Sequence, residues 1–425
     1  MADSTGPRHA RTRASRRGST RKPNFRRRRI LVGVLGVLAI FLVWLAISLG
    51  LALTNQSYGS SLSARFAEWG RDHGIGGAVT WAEQQWYALN PPKQGGKPPA
   101  DAFKKKGNGA KAVASTCPDA LPKPNTMPTP AQPPQPSEGV WQPVGRLVAN
   151  CAAVYETYVR PDAVHTSYVV GLAWMDPKLL SAALYSGSQV PGGGPYSRTA
   201  PIKPDAASTL VAAFNAGFRM QDAQGGYFTD AKTVIPLVAG KASAVIYKDG
   251  NMDIGAWGSQ VTMTPDVVSV RQNLDLIVDG GKPVAGLNAA DNTRWGATLG
   301  GAALVWRSGM GIRKNGSIVY VGGPAMTITA LADLLAKAGC LRAMELDINT
   351  DWVNYVTFNP PVGQPASAAN GSMLIGSMSG GTSRYFQTWW TRDFFTMSAR
   401  YAADATTTTS TTSGSTTSTT RPTKG

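Results

Sequence analysis

The 425-residue sequence predicts an α+β (mixed α/β) fold, rich in strands with few helices, preceded by a single transmembrane helix. Three observations predict it. Residues 30–53 (ILVGVLGVLAIFLVWLAISLGLAL) contain no charged side chain over 24 positions. Residues 139–404 hold short apolar runs separated by Asn-Gly, Asp-Gly and Gly-Gly pairs, the turn chemistry of antiparallel strands. Within that region residues 329–338 give the clearest repeat of apolar side chains at helical spacing.

At about 1.5 Å per residue the apolar run is longer than the roughly 30 Å hydrocarbon core of a bilayer. A cleavable signal peptide has an apolar region of only about 7–15 residues, so an uncleaved anchor is expected. The formal net charge of +17, from 42 Lys+Arg and 25 Asp+Glu, resembles that of a nucleic-acid binder until it is located. Residues 1–29 carry 11 Lys/Arg against Asp3 alone, so this tail supplies +10 and the rest of the chain +7. No nucleic-acid partner is expected. Arg26–Arg29 abut the apolar run and hold that end in the cytoplasm. The expected location is the cell membrane, single-pass, with the C-terminal domain extracytoplasmic.

Residues 54–90 read as a short helical juxtamembrane segment. Leu62, Phe66 and Trp69 lie at helical spacing within 61–72, and Trp81, Trp86 and Tyr87 follow, suited either to the lipid interface or to packing on the domain. Residues 91–138 contain 12 of the 29 prolines and read as an extended linker with no core. Residues 405–425 are a Thr/Ser-rich tail expected to be disordered. Residues 139–404 suit one large domain. Its expected strands include 164–174, 210–214 and 273–278, with hairpins of 242–247 and 252–257 about Asp249-Gly250-Asn251 and of 312–320 about Asn315-Gly316. The helix 329–338 buries Leu331, Leu334 and Leu335, with Thr329 as N-cap and Gly339 as stop. Of three cysteines, Cys117–Cys151 and Cys151–Cys340 are both open pairings in an oxidising exterior.

Residues 341–349 (LRAMELDIN) carry the most chemistry. In a strand Met344, Leu346 and Ile348 share one face, and Glu345, Asp347 and Asn349 share the other. One face is then core, and the other holds two carboxylates and an amide, the groups of general acid–base catalysis. No GxSxG, GxxxxGK[ST] or HExxH motif occurs. His165, the domain's one histidine, opens an apolar strand and reads as a hydrogen-bonded strand-edge residue. No cofactor is predicted; a divalent cation at Asp347, Asn349 and Asp351 is compatible with their oxygen ligands but not called for by their spacing.

The succession Ala213-Phe214-Asn215-Ala216-Gly217-Phe218, Trp306-Arg307-Ser308-Gly309-Met310-Gly311 and Ala343-Met344-Glu345-Leu346-Asp347 resembles the phosphodiester glycosidase family. Arg271-Gln272-Asn273-Leu274 and Arg392-Asp393-Phe394-Phe395 resemble a membrane-anchored actinobacterial branch of it. The resemblance implies a glycosyl phosphodiester or related carbohydrate substrate and a mixed α/β domain. It also implies Asp347 as a catalytic group and Asn215, Gly217, Arg307 and Ser308 as substrate-binding groups; the strand-face pattern adds Glu345 as a second catalytic candidate and Asn349 as a substrate-binding one. Ala216 stands where that family has the first of two glycines, and Ile348-Asn349-Thr350 where it has three. Two readings follow: an extracytoplasmic glycosidase-like hydrolase, or a glycan-binding or envelope-assembly protein of the same fold without turnover. Arg307, Asp347 and Asn215 are expected around a single hollow.

Overall fold

The structure, a computed structural model, describes residues 25–103, 117–287, 294–296, 304–388 and 390–400. The greater part of the expected basic tail and the whole Thr/Ser-rich tail lie outside the described residues. Two compact units divide at residue 51.

Among the described residues the first unit is positions 25–51 of helix α1 (Phe25–Thr54), which takes in Arg26–Arg29 ahead of the apolar run. Its 30 residues span about 45 Å, and its large apolar side chains are almost all exposed, so it is long and apolar enough to cross a membrane.

The second unit begins with two short helices, α2 (Leu62–Asp72) and α3 (Gly76–Leu89). Ser61 caps α2, its Oγ accepting the Ala64 N–H at 3.1 Å. Gly70 lets the helices close on each other: a Cβ there would lie 3.0 Å from a methyl of Val79. Three antiparallel sheets follow. The largest has the order β1 (Gln142–Val148), β2 (Cys151–Val159), β3 (Val170–Met175), β14 (Ile318–Met326), β13 (Val305–Arg313), β15 (Cys340–Asp347), β11 (Leu276–Asp279), β12 (Lys282–Pro283). A second runs β7 (Lys232–Ile235), β6 (Tyr227–Thr229), β10 (Val267–Gln272), β8 (Ala242–Tyr247), β9 (Met252–Ala256). The third runs β17 (Gly371–Met373), β16 (Tyr355–Phe358), β5 (Leu210–Asn215), β18 (Phe394–Ala399), β4 (Leu180–Tyr185).

Both expected hairpins are present, β8–β9 and β13–β14, with Gly250 and Gly316 at φ of 78° and 83° in their turns. After the one- to two-turn helices α4 (Pro204–Thr209) and α5 (Met220–Ala223), helix α6 (Ile328–Lys337) carries the chain from β14 to β15 across β13, a split βαβ unit. Its N-cap is Thr327 rather than Thr329: Thr327 Oγ1 accepts the Ala330 N–H at 3.0 Å, and Thr329 already lies in the first turn. The strand expected from 164 starts at 170, because Asp162 ties the amides of Val164 and His165 into a turn. His165 pairs with Asp162.

Alternation decides the layers. In β14, Ile318 and Tyr320 enter a core shared by all three sheets, while Val319 and Val321 face α6 and Trp174. The large sheet is therefore covered on both faces, and from Ala343 to Asp347 β15 has no wet face, unlike the strand expected from the sequence. The proline-rich segment also departs from the expected free spacer. Phe103 enters the shared core, Met127 packs in the cluster of Trp141, and Arg160 grips Glu138 at 2.9 Å. A segment poor in apolar residues still docks when the few it has find a groove. The disulfide is Cys117–Cys151, pinning this segment to the start of β2, and Cys340 is a buried thiol.

Candidate functional site

Asp347 ends β15 where that strand leaves the sheet. Its Oδ1 accepts the Asn349 N–H at 2.9 Å. The carboxyl is almost wholly buried, and burial pushes its pKa up to about 6 against the pull of Arg392 and the Asn349 amide. It lines a cavity of about 90 Å³. Helices α2 and α3 give this cavity Glu68, Arg71, Thr80, Glu83 and Tyr87. The sheet domain gives Phe218, Arg219, Asp222, Asn349, Trp352 and Arg392.

Three guanidiniums and one carboxylate form the centre of the wall. Glu68 reaches Arg71 at 3.2 Å, Arg392 at 3.4 Å and Arg219 at 3.6 Å. Arg71 has a second partner in Glu83 at 2.6 Å, and Arg219 has Asp222 at 3.0 Å and Asp72 at 3.1 Å. Arg392 has the fewest: its guanidinium lies 4.3 Å over the Trp352 ring, and its Nη1 is buried with no hydrogen-bond acceptor among the described residues.

The other expected site residues stand behind the cavity wall. Ser308 Oγ accepts the Asp347 N–H at 3.2 Å and the Asn215 Nδ2–H at 3.0 Å, and the Tyr320 hydroxyl donates to Asn215 Oδ1 at 2.9 Å. This chain clamps the backbone of Asp347 where the β13–β15 register shifts. Arg307, next along β13, points to the opposite face. Its Nη1 donates to Glu345 Oε1 at 2.6 Å and its Nε to the Met326 carbonyl at 2.9 Å, both buried. Burial drives the Glu345 carboxyl upward while Arg307 pulls it down. Arg307 and Asn215 therefore do not share a cavity with Asp347, contrary to the expected hollow; of the seven expected site residues, only Asp347 and Asn349 line it.

Gly217 serves closeness: a Cβ there would sit 3.0 Å from Arg271 Nη2 and from Asn273 Oδ1. Arg271 pairs with Asp393 at 2.7 Å, both fully buried, which fixes the residue after Arg392. Asn273 Oδ1 accepts the Phe218 N–H at 3.1 Å and its Nδ2 donates to the Glu345 carbonyl at 2.7 Å, joining the cavity rim to β15. Asp351 turns away, accepting from the Ser60 amide at 3.2 Å and from Ser379.

No family model and no curated protein matches the chain. Solved structures do match. One is the catalytic domain of zebrafish N-acetylglucosamine-1-phosphodiester alpha-N-acetylglucosaminidase, at 16% identity, spanning 61% of this chain and 88% of that one, with a TM-score of 0.37. Another is a Synechocystis protein, at 11% identity, spanning 61% of this chain and 64% of that one, with a TM-score of 0.31. Neither likeness bears on the chemistry of the cavity.

Sequence reasoning missed Arg392, Arg219, Arg71 and Glu68. Arg392 stands in the Arg-Asp-Phe-Phe string already singled out, but nothing local says that it pairs with Glu68 or shares a cavity with Asp347. Glu68 and Arg71 lie in the segment expected as a short helix, whose aromatic side chains, not its charges, carried that expectation.

Proposed function

We propose that the chain is a membrane-anchored, extracytoplasmic hydrolase that splits a glycosyl phosphodiester or a related envelope glycan between the anomeric carbon and the phosphate oxygen. The observation that carries this reading is the buried, unaccepted Nη1 of Arg392 in the same cavity as the Asp347 carboxyl. A guanidinium lying over the Trp352 ring with an N–H to spare can take an anionic oxygen, and phosphate oxygens suit its planar donors. The phosphate leaves as a stable anion and needs no proton from the protein. The ionised Asp347 then has one task, to take the proton of a water as its oxygen bonds the anomeric carbon, or to bond that carbon itself before water replaces it. The C–O bonding pair goes to the departing phosphate in either course. Asn215 and Ser308 act as positioning residues for Asp347. Glu345, neutralised by Arg307 on the other face, is placed outside the reaction.

The test is sugar release from glycosyl phosphodiesters by the full chain in lipid nanodiscs. Asp347→Asn is expected to lose at least about 100-fold in kcat, the scale of a general base, while Arg392→Gln raises KM. Equal release by wild type and Asp347→Asn rejects the assignment.

A second reading, glycan binding without turnover, is favoured by one observation. The cavity holds about three waters at roughly 30 Å³ each, and Glu68 already occupies its cationic wall. Saturable glycan binding with no release by wild type selects this reading.

A further inference from the structure

Helix α3 has two faces of opposite character. Thr80, Glu83 and Tyr87, at i, i+3 and i+7, line the cavity beside Asp347. The other side presents Ala78, Trp81, Ala82, Gln85 and Leu89, all exposed, with Trp86 at its border. Trp81 is 63% exposed, Trp86 59% and Leu89 80%. None of these side chains is charged, and the one acid of the helix, Glu83, is turned inward to Arg71. A helix against water carries charge on its outer side; this one carries indole rings and aliphatic groups. Helix α2 extends the surface with Leu62 and Phe66, 65% and 44% exposed.

The chain itself indicates what covers this face. Helix α1 ends at Thr54 and α2 starts at Leu62, so seven residues separate the apolar helix from the hairpin. Fully extended they reach about 25 Å, and the turn at Gln56–Tyr58 shortens that. The start of the hairpin is thus tethered within about 25 Å of the end of α1, a reach that includes the headgroup zone of any bilayer that α1 enters, the depth at which tryptophan is enriched.

We propose that α3 is an interfacial helix whose Trp81–Leu89 face lies in the headgroup–acyl boundary of the bilayer holding α1. The proposal rests on the reading of α1 as a membrane helix. Because the face carries no Lys or Arg, docking is apolar and independent of anionic lipid. The cavity, on the other side of the same helix, is held within roughly one helix diameter, about 10–12 Å, of lipid.

The test places a nitroxide on cysteines introduced one at a time into the full chain in phosphatidylcholine nanodiscs. The variants are Trp44→Cys in α1, Trp81→Cys and Leu89→Cys in α3, and Val362→Cys at a site 83% exposed. The native disulfide and the buried Cys340 leave no other thiol open to the label. The expected result is an oxygen-to-nickel-chelate accessibility ratio at 81 and 89 at least about threefold above that at 362, as for side chains sunk in the interface. Ratios at 81 and 89 equal to that at 362, with 44 still lipid-like, overturn the interfacial helix and leave the anchor standing. A water-like ratio at 44 removes both. Dipolar broadening between labels at 81 gives the face to a second copy of the chain and also overturns the proposal. Ala82→Cys, a small change on the same face, repeats the reading if Trp81→Cys fails to fold.

Discussion

Asp347 is a carboxyl that the fold prefers protonated. Burial lifts its pKa from 3.8 to about 6, a difference worth roughly 3 kcal/mol at about 1.4 kcal/mol per unit. With the folded value above the unfolded one, that stability is fully present below pH 3.8 and is lost as pH rises through 6. Asp347→Asn is therefore expected to gain 1–3 kcal/mol, to order of magnitude, over wild type at pH 7.5 while losing turnover, with the gain vanishing near pH 3.5. Urea denaturation at the two pH values checks it, and a less stable Asn variant at pH 7.5 contradicts the electrostatic account. In the hydrolase reading the ionised form works, so kcat/KM rises with pH and is half-maximal near 6. Arg392→Gln removes the largest group favouring ionisation and moves that midpoint upward. Glu68→Gln tests the cationic wall: inorganic phosphate is expected to bind severalfold tighter by calorimetry once the competing carboxylate is gone. Strand alternation picks out Glu345 and Asp347 together as one face, whereas in the structure Glu345 meets Arg307 and Asp347 lines the cavity. The role of Arg307 was not legible in the sequence, since a guanidinium's partner depends on which face neighbouring strands present. Arg307 and Ser308 are adjacent in sequence and separated by the whole thickness of a sheet.

At the scale of elements, β15 is held from both sides, and each side has its own expected cost. Leu335 of α6 is buried in the cluster with Leu331, Leu334 and Ala343, so Leu335→Ala is expected to cost about 2–5 kcal/mol by transfer and cavity terms. Asp393→Ala leaves Arg271 charged and unpaired at full burial, and about 3–5 kcal/mol is expected. Thermal melts check both; the second is expected to depress phosphate binding as well, because Arg392 loses the neighbour that fixes it. The elements most legible in the sequence were those with local causes: the hairpins at Gly250 and Gly316 and the helix stopped by Gly339. The strand start at 170 and the burial of both faces of β15 depend on Asp162 and on α6, contacts that periodicity does not encode. The Arg-Gln-Asn string at 271–273 has a physical account only in three dimensions, where its members bind Asp393, the Gly226 and Val238 amides, and Phe218.

Over the whole molecule, the Cys117–Cys151 disulfide closes a separation of 34 residues. Reduction is expected to lower stability by about 2–4 kcal/mol, read as a fall in the urea midpoint under reductant. The division of the chain by composition marked the apolar helix and the strand-rich domain. For residues 54–90 it leaves lipid interface and domain packing both open, and Glu68 of α2 pairs with Arg392 of the domain; residues 91–103, expected as linker, send Phe103 into the shared core.

The Thr391 hydroxyl donates to the Ser57 carbonyl at 2.8 Å, one residue before Arg392 and three beyond the end of α1. The chain that emerges first from the apolar helix is thus mortared to the segment leading into β18. Proteolytic shedding upstream of Asn55 would free a lobe with its pocket whole, whereas a nick between Asp72 and Phe103 followed by loss of the N-terminal piece would strip away Glu68 and Arg71. Release and disablement are decided by where the scissors fall, some twenty residues apart.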